Sequence, residues 1–403
     1  MNTYKNSDVS KIFGVAPSTV TLWVKNAMDG KNNLQLVQHK DKFRLARSQH
    51  NDDLIVSLKN EGNKYKPHTV NKIIRPSEDF YKTFNREQVS RIINDLIFNS
   101  EIAHKYTYFD VGSEYWQDYI KRTEAENLQN TISYSRDLVS QSFSTLKTLV
   151  EETKYLNIVD IGSLDYKTTE KLAEFLKENH SVKKIIGVSI NSEISSYWKN
   201  GLEKFQKSTE INNIPQDIQT NSIQEHLFYA TSMDEGGCNI ITYLQSQIEN
   251  QTDDEKILLN LKESMNPGDK LLITRTINSV QARTYFDLWT RDVKSRKKIP
   301  EQERVVLDLL NITEDCYEPV FVYDEEEKSR IMKIKLNFDT ELNFENNEIK
   351  KHLAFPKNTE ITIWRHQHND IQDIVADFKS IGFDIRFMTT SKDLTQAFFI
   401  LEA

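Results

Sequence analysis

The sequence is short of the residues that staple or punctuate a chain. Cysteine occurs twice among 403 residues, as Cys238 and Cys316, and neither lies in a Cys-x-x-Cys pair, which excludes a disulfide framework and a four-thiolate zinc site. With 11 glycines and 8 prolines, collagen-like and low-complexity architectures are excluded too. Long apolar runs are missing: stretches such as Ala397-Phe398-Phe399-Ile400-Leu401 fall far below the ~18 residues of a spanning helix. The polar opening Met1-Asn2-Thr3-Tyr4-Lys5 carries no secretory hydrophobic region. A cytoplasmic protein without a membrane partner is therefore expected. His366 and His368, two apart with no third ligand in sight, read as a surface pair, and no metal is expected.

What the chain does have is charge, unevenly spread. Residues 1–75 carry 13 lysines and arginines against six acids, a net +7, so the rest carries −15 of the total of −8. A basic module on an acidic body is the pattern of a chain that meets a polyanion with one end, because neutralising phosphates releases condensed counterions.

Within the basic part, Val9, Ile12 and Phe13 give one apolar face of a short helix after the N-cap candidate Ser7, and Gly14 stops it. Ala16-Pro17-Ser18-Thr19 then opens a second helix with Val20, Trp23 and Val24 inward. On that register Ser18, Thr19, Thr21 and Lys25 point outward, where a groove-reading helix meets bases. Residues 34–47 read as two strands around a cationic turn, a wing whose Lys40, Lys42 and Arg44 are placed to grip phosphates. This run, from Asp8 to Val24, resembles MerR-type and excisionase-type winged helix-turn-helix domains. The resemblance covers about residues 1–50 and implies DNA as a partner. Residues 51–104 read as a helical connector whose stripe Val89, Ile92, Ile93 and Leu96 either forms a homodimer contact or docks on the body.

From residue 156 the pattern changes to aliphatic strands alternating with helices: strands over 156–163, 184–190, 239–244 and 270–274, helices over 168–178 and 256–265, then a helix over 371–380 and a closing strand pair. That alternation predicts an α/β fold with a doubly wound, mainly parallel sheet. An antiparallel final hairpin on such a sheet resembles class I SAM-dependent methyltransferases, which are Rossmann-like. The segments Tyr108-Phe109-Asp110-Val111-Gly112-Ser113-Glu114-Tyr115-Trp116, Val159-Asp160-Ile161-Gly162-Ser163 and Asn266-Pro267-Gly268-Asp269 narrow the resemblance to the histidine-specific methyltransferases of the ergothioneine type, over residues 105–403.

The resemblance implies SAM as cofactor, with Gly162, Ser163 and Ser189 at its site. Four pocket segments depart from the family. Leu164 replaces a second glycine, and Ser189 or Asn191 stands where an acid accepts the ribose hydroxyls. Gln245-Ser246-Gln247-Ile248-Glu249-Asn250 lacks both glycines, and the alignment puts Arg365 and Gln367 where a Glu and a Ser hold the substrate amine. The expectation is a DNA-binding transcriptional regulator with a diverged methyltransferase-fold domain used for ligand sensing or dimerisation. The alternative is an active SAM-dependent N-methyltransferase of an amino acid or small amine other than histidine.

Overall fold

The computed structural model describes residues 3–4, 9–10, 12, 15, 17–28, 32–39, 42–48, 50–55, 72–126, 130–162, 165–218, 223–225, 236–245, 247–250, 254–283 and 298–403. The chain divides into two compact units. Unit 1 comprises Met1–Ile102, Leu309–Glu318 and Ile334–Thr362; unit 2 comprises Ala103–Asp308, Pro319–Lys333 and Ile363–Ala403.

Unit 2 is built on a seven-stranded sheet. In chain order its strands are β1 (Tyr155–Ile161), β2 (Ser181–Ser189), β3 (Glu210–Pro215), β4 (Gly237–Tyr243), β5 (Lys270–Thr276), β6 (Asp384–Thr390) and β7 (Gln396–Glu402). They lie in the order β3-β2-β1-β4-β5-β7-β6. Neighbours are parallel from β3 to β5, and β7 runs antiparallel to both β5 and β6. This α/β sheet, mostly parallel and closed by an antiparallel hairpin, matches class I methyltransferase-like folds. Every residue of β1 and β5 is buried, as a central parallel strand with both faces covered must be. The helices are α1 (Val111–Ala125), α2 (Thr131–Gln141), α3 (Phe143–Leu149), α4 (Tyr166–Lys177), α5 (Ser192–Gly201), α6 (Asp254–Ser264), α7 (Glu301–Leu309) and α8 (Ile371–Ile381). One apolar cluster joins Val159 and Ile241 to Leu258, Phe378 and Phe399; another joins Ile158 and Ile240 to Leu172, Trp198 and Phe398. β3, with the polar sequence Glu-Ile-Asn-Asn-Ile-Pro, had no sequence signal, and its edge position explains why: only Ile211 of the strand is buried.

In unit 1 the strand Thr3–Tyr4 pairs with Lys42–Ala46, which pairs with Leu36–His39. The helix Pro17–Met28 buries Val20, Trp23 and Val24 with Tyr4, Leu45 and Ile55. Further on, Lys72–Ile74 lies parallel to Thr340–Glu345, itself antiparallel to Lys350–Phe355. The helix Arg86–Phe98 opens with a capping box, Asn85 to Gln88. Its stripe Val89, Ile92, Ile93 and Leu96 is buried within this chain, so that face is not open for the homodimer contact that was one of its two readings.

One carboxylate ties the layers of unit 2 together. Asp160 of β1 is fully buried and accepts hydrogen bonds from Thr169 of α4, from Trp198 Nε1 of α5 at 2.8 Å and from Thr242 Oγ1 of β4 at 2.8 Å. Gly187 of β2 makes room for the indole: a Cβ there would stand 2.8 Å from the Trp198 ring. Burial nonetheless outweighs the three donors and pushes the Asp160 carboxyl up to about 6 from 3.8. A folded-state value above the unfolded one means stability that is complete below 3.8 and lost as pH rises through 6. Urea unfolding at pH 7 and pH 5 should therefore show the wild type gaining about 1 kcal/mol on acidification relative to Asp160→Asn, which has nothing to titrate there. Equal pH responses would refute this account.

Candidate functional site

Ligands of open α/β sheets bind beyond the carboxyl ends of the strands, where connections leave to opposite faces. In unit 2 those ends are Ile161, Ser189, Pro215, Tyr243 and Thr276. Immediately after β1, Gly162 has φ +68° and its N–H donates to the Val188 carbonyl at 2.8 Å. That left-handed turn is where glycine costs least. Ser163 and Leu164 lie outside the described residues. Asp165 closes the loop: its carboxylate caps α4 through Lys167 N–H at 3.1 Å and accepts from Thr168 Oγ1 at 2.6 Å and Arg136 Nη2 at 2.8 Å.

Ser189 is buried, and its hydroxyl is spent on the turn into α5, donating to the Asn191 carbonyl at 3.2 Å and accepting from Asn191 N–H at 3.3 Å. Asn191 is also committed. Its Oδ1 caps α5 through the N–H groups of Glu193 and Ile194, and its Nδ2 donates to the Tyr108 carbonyl at 2.7 Å. Two residues on, Glu193 is exposed in the first turn of α5 and accepts from Ser113 Oγ at 2.7 Å. Sequence reasoning passed over this acid because it looked for one on the strand itself.

At β4 the loss of glycine is only partial in effect. Gln245 holds φ +67°, a left-handed conformation natural to glycine, and its N–H donates to Ser135 Oγ at 2.9 Å. The backbone at Gln245 thus has the conformation that glycine adopts at least cost.

The largest departure from expectation lies on the strand Glu360–Gln367, which with Tyr317–Asp324 and Ser329–Leu336 forms a three-stranded sheet. His366 and His368 are not a surface pair: they are 3% and 0% exposed. Arg365 alternates to the other side and pairs with Glu327 at 3.3 Å. The strand's end continues beside β5, with Ile277 bridged to Asn369, so the two histidines reach that strand's carboxyl end. His366 Nε2 is 2.8 Å from Thr276 Oγ1 and Nδ1 is 2.7 Å from Asn250 Oδ1. Because Asn250 Oδ1 only accepts, the network assigns the proton to Nδ1 and leaves Nε2 to accept from Thr276. His368 has no hydrogen bond at either ring nitrogen. Desolvation, then Arg330, lowers the imidazolium pKa of both; that of His368 falls to about 3.

A second buried group faces the same ends. Lys105 and His104 lie on the short helix His104–Tyr108. Lys105 Nζ pairs with Asp217, just past β3, at 2.7 Å. His104 Nε2 stands 3.0 Å from Glu303 Oε2 of α7, both side chains buried. The sequence had no marker for either partner, since 199 residues separate them and neither falls in a motif. Among the described residues no group of three or more His, Cys, Asp or Glu is arranged to hold a metal ion, and no helix is long and apolar enough to cross a membrane.

Of the residues expected to meet DNA, Ser18, Thr21 and Lys25 are exposed on the helix Pro17–Met28, and Thr19 is half-buried there. Arg44 is half-buried in the strand Lys42–Ala46. The Lys42 side chain and all of Lys40 lie outside the described residues.

No family model and no curated protein matches the sequence. Solved structures resemble the chain at low identity. They include a S-adenosylmethionine-dependent methyltransferase from Clostridium acetobutylicum ATCC 824, with 11% identity over 71% of this chain and 96% of that one and a TM-score of 0.36. The CcbJ methyltransferase from Streptomyces caelestis shows 8% identity over 65% and 95%, TM-score 0.36. The glycopeptide N-methyltransferase MtfA complexed with S-adenosyl-L-homocysteine shows 10% over 65% and 88%, TM-score 0.32. The class I methyltransferase-like assignment of unit 2 rests on its strand order and not on these alignments.

Proposed function

We propose that unit 2 binds SAM at the carboxyl end of its sheet and methylates a small polar acceptor, an amino acid or amine other than histidine. The observation that carries this reading is His368: a fully buried imidazole, bonded at neither nitrogen, at the strand end where such sheets act. Leaving a buried polar group unpaired costs about 1–3 kcal/mol, and a ligand that supplies the missing hydrogen bond removes that cost. With a pKa of about 3 His368 is neutral at pH 7 and too weak a base to take a proton, so its role is to hold the acceptor by donating through one nitrogen and accepting through the other. Free histidine is disfavoured because Arg365, in the strand that holds its amine in the family, turns to Glu327 and brings no acid.

The residues present fit SAM in part. Gly162 and Gln245 give the two left-handed turns that let backbone approach the cofactor, and Glu193 is the acid available to its ribose hydroxyls, taking the place that Ser189 and Asn191 leave empty. When bound, SAM supplies a methyl group made electrophilic by its sulfonium.

A second activity is favoured by the exposed face Ser18, Thr21 and Lys25 and by the +7 charge of residues 1–75: the N-terminal module binds DNA, in the manner of a winged helix-turn-helix, and makes the chain a regulator.

Calorimetric titration with SAM and S-adenosylhomocysteine should give micromolar binding, weakened ~10-fold or more by Glu193→Gln, which removes a charge-assisted contact. In the same preparations Gln245→Gly should retain binding and gain about 0.5–1 kcal/mol in urea unfolding, since a left-handed conformation costs a side chain more than it costs glycine. Absence of heat from the folded wild type at millimolar ligand would overturn the cofactor assignment. For the N-terminal module, gel shifts on duplex DNA should show retention that Lys25→Glu with Lys40→Glu and Lys42→Glu abolishes; retention unchanged by the three would overturn DNA binding.

A further inference from the structure

The helix Pro17–Met28 of unit 1 presents two faces. Val20, Trp23 and Val24 are buried with Tyr4, Leu45 and Ile55, so its inner face is complete. The outer face differs from the sequence reading by one residue. Thr19 turns half inward, and Leu22 joins Ser18, Thr21 and Lys25 in the open, 54% exposed. At 3.6 residues per turn these four fall within about 100° of arc, opposite the buried three.

A single exposed leucine is ordinary on a protein surface, and it is the company of this one that gives it meaning. The face is otherwise two hydroxyls and an ammonium, on a module whose residues 1–75 carry a net +7, which suits the phosphates of a nucleic acid and not an apolar protein surface. Reading bases takes particular side chains: arginine or lysine for guanine, asparagine or glutamine for adenine, and an apolar group for the C5-methyl of thymine. The four outward residues include no arginine, asparagine or glutamine, and Asn26 is half-buried at the margin. Serine and threonine hydroxyls suit several bases, and Lys25 serves guanine and phosphate alike. Of the four only Leu22 is wholly apolar, and thymine is the one base that offers it a partner in the major groove. Leu22 also lies in the N-terminal half of the helix, the half that meets base edges, whereas Met28, also exposed, closes the last turn.

We propose that Leu22 determines the sequence preference of the N-terminal module by packing on the C5-methyl of a thymine in the major groove. The inference rests on the DNA-binding reading above and deepens it: the duplex that this face selects carries thymine at a fixed position. The contact removes apolar surface of both groups from water, while Lys25 and Arg44 hold the backbone without regard to sequence.

To test this, the full chain is used to enrich duplexes from a random-sequence library, and each thymine of the enriched sequence is then replaced singly by uracil, which lacks only the methyl. One replacement should weaken binding about 4-fold, the worth of one methyl taken out of water. Leu22→Ala should bind the thymine and uracil duplexes equally, with the salt dependence of binding unchanged because no phosphate contact is lost. Leu22→Met, which stays apolar, should keep the preference. Uracil tolerated at every position, or a preference that survives Leu22→Ala, would overturn the assignment and leave DNA binding standing. Retention of duplexes with no sequence enriched would do the same. A Leu22→Ala protein of lower mass in sedimentation, with the thymine preference intact, would make the face a contact between copies of the chain and overturn the assignment as well. Failure to retain any duplex at low salt would overturn the DNA-binding reading and this inference with it.

Discussion

The arrangement of unit 2 depends on where the Asp160 carboxylate is held. It sits at the penultimate position of the central strand β1 and is bonded from a helix on one connection, a helix on the next and the neighbouring strand β4. Three donors from three elements fix the spacing of β1, β4, α4 and α5, and with it the loop that leaves β1 at Gly162. The cost is a buried charge, visible in the raised carboxyl pKa, and no apolar residue of the same size would supply the same directionality. Trp198 fits against the sheet only because position 187 has no side chain, so the polar knot and the packing specify one another.

The turn that leaves β4 repeats, at Gln245, the left-handed conformation of Gly162 in the turn that leaves β1. Gln245 keeps a left-handed conformation that only glycine adopts freely, and Ser135 secures it through the Gln245 N–H. Holding a side chain in that conformation costs about 1 kcal/mol. His368 likewise carries a local cost, since it is buried with no hydrogen bond at either ring nitrogen. Both positions lie at the carboxyl end of the sheet.

Much of the α/β core was legible in the sequence, because β1, β2, β4 and β5 are aliphatic runs bounded by turn residues, and a strand buried on both faces needs little else. The edge strand β3 was not, since its polar residues are those of a loop. The site was harder. Alternation along the strand 360–367 allows two parities, and the sequence alone does not say which face is buried; His366 and His368, read as a surface pair, are on the buried face, and Arg365 and Gln367, which alternate with them, are half-buried. Glu193 was hidden by a shift from strand to helix. His104 and Glu303 belong to segments far apart in the chain, and only the fold brings them to 3.0 Å.

The three buried imidazoles illustrate how surroundings divide roles among identical side chains. His366 is locked by Thr276 and Asn250, and the Arg330 guanidinium works against a proton on it. His368 feels both Arg330 and Arg283 and stays neutral, a ring that can bind but not deprotonate. His104 differs from both in having a carboxylate, that of Glu303, 3.0 Å from its Nε2. The groups that face each ring, and not the imidazole itself, decide how far burial and neighbouring charge act against its protonation.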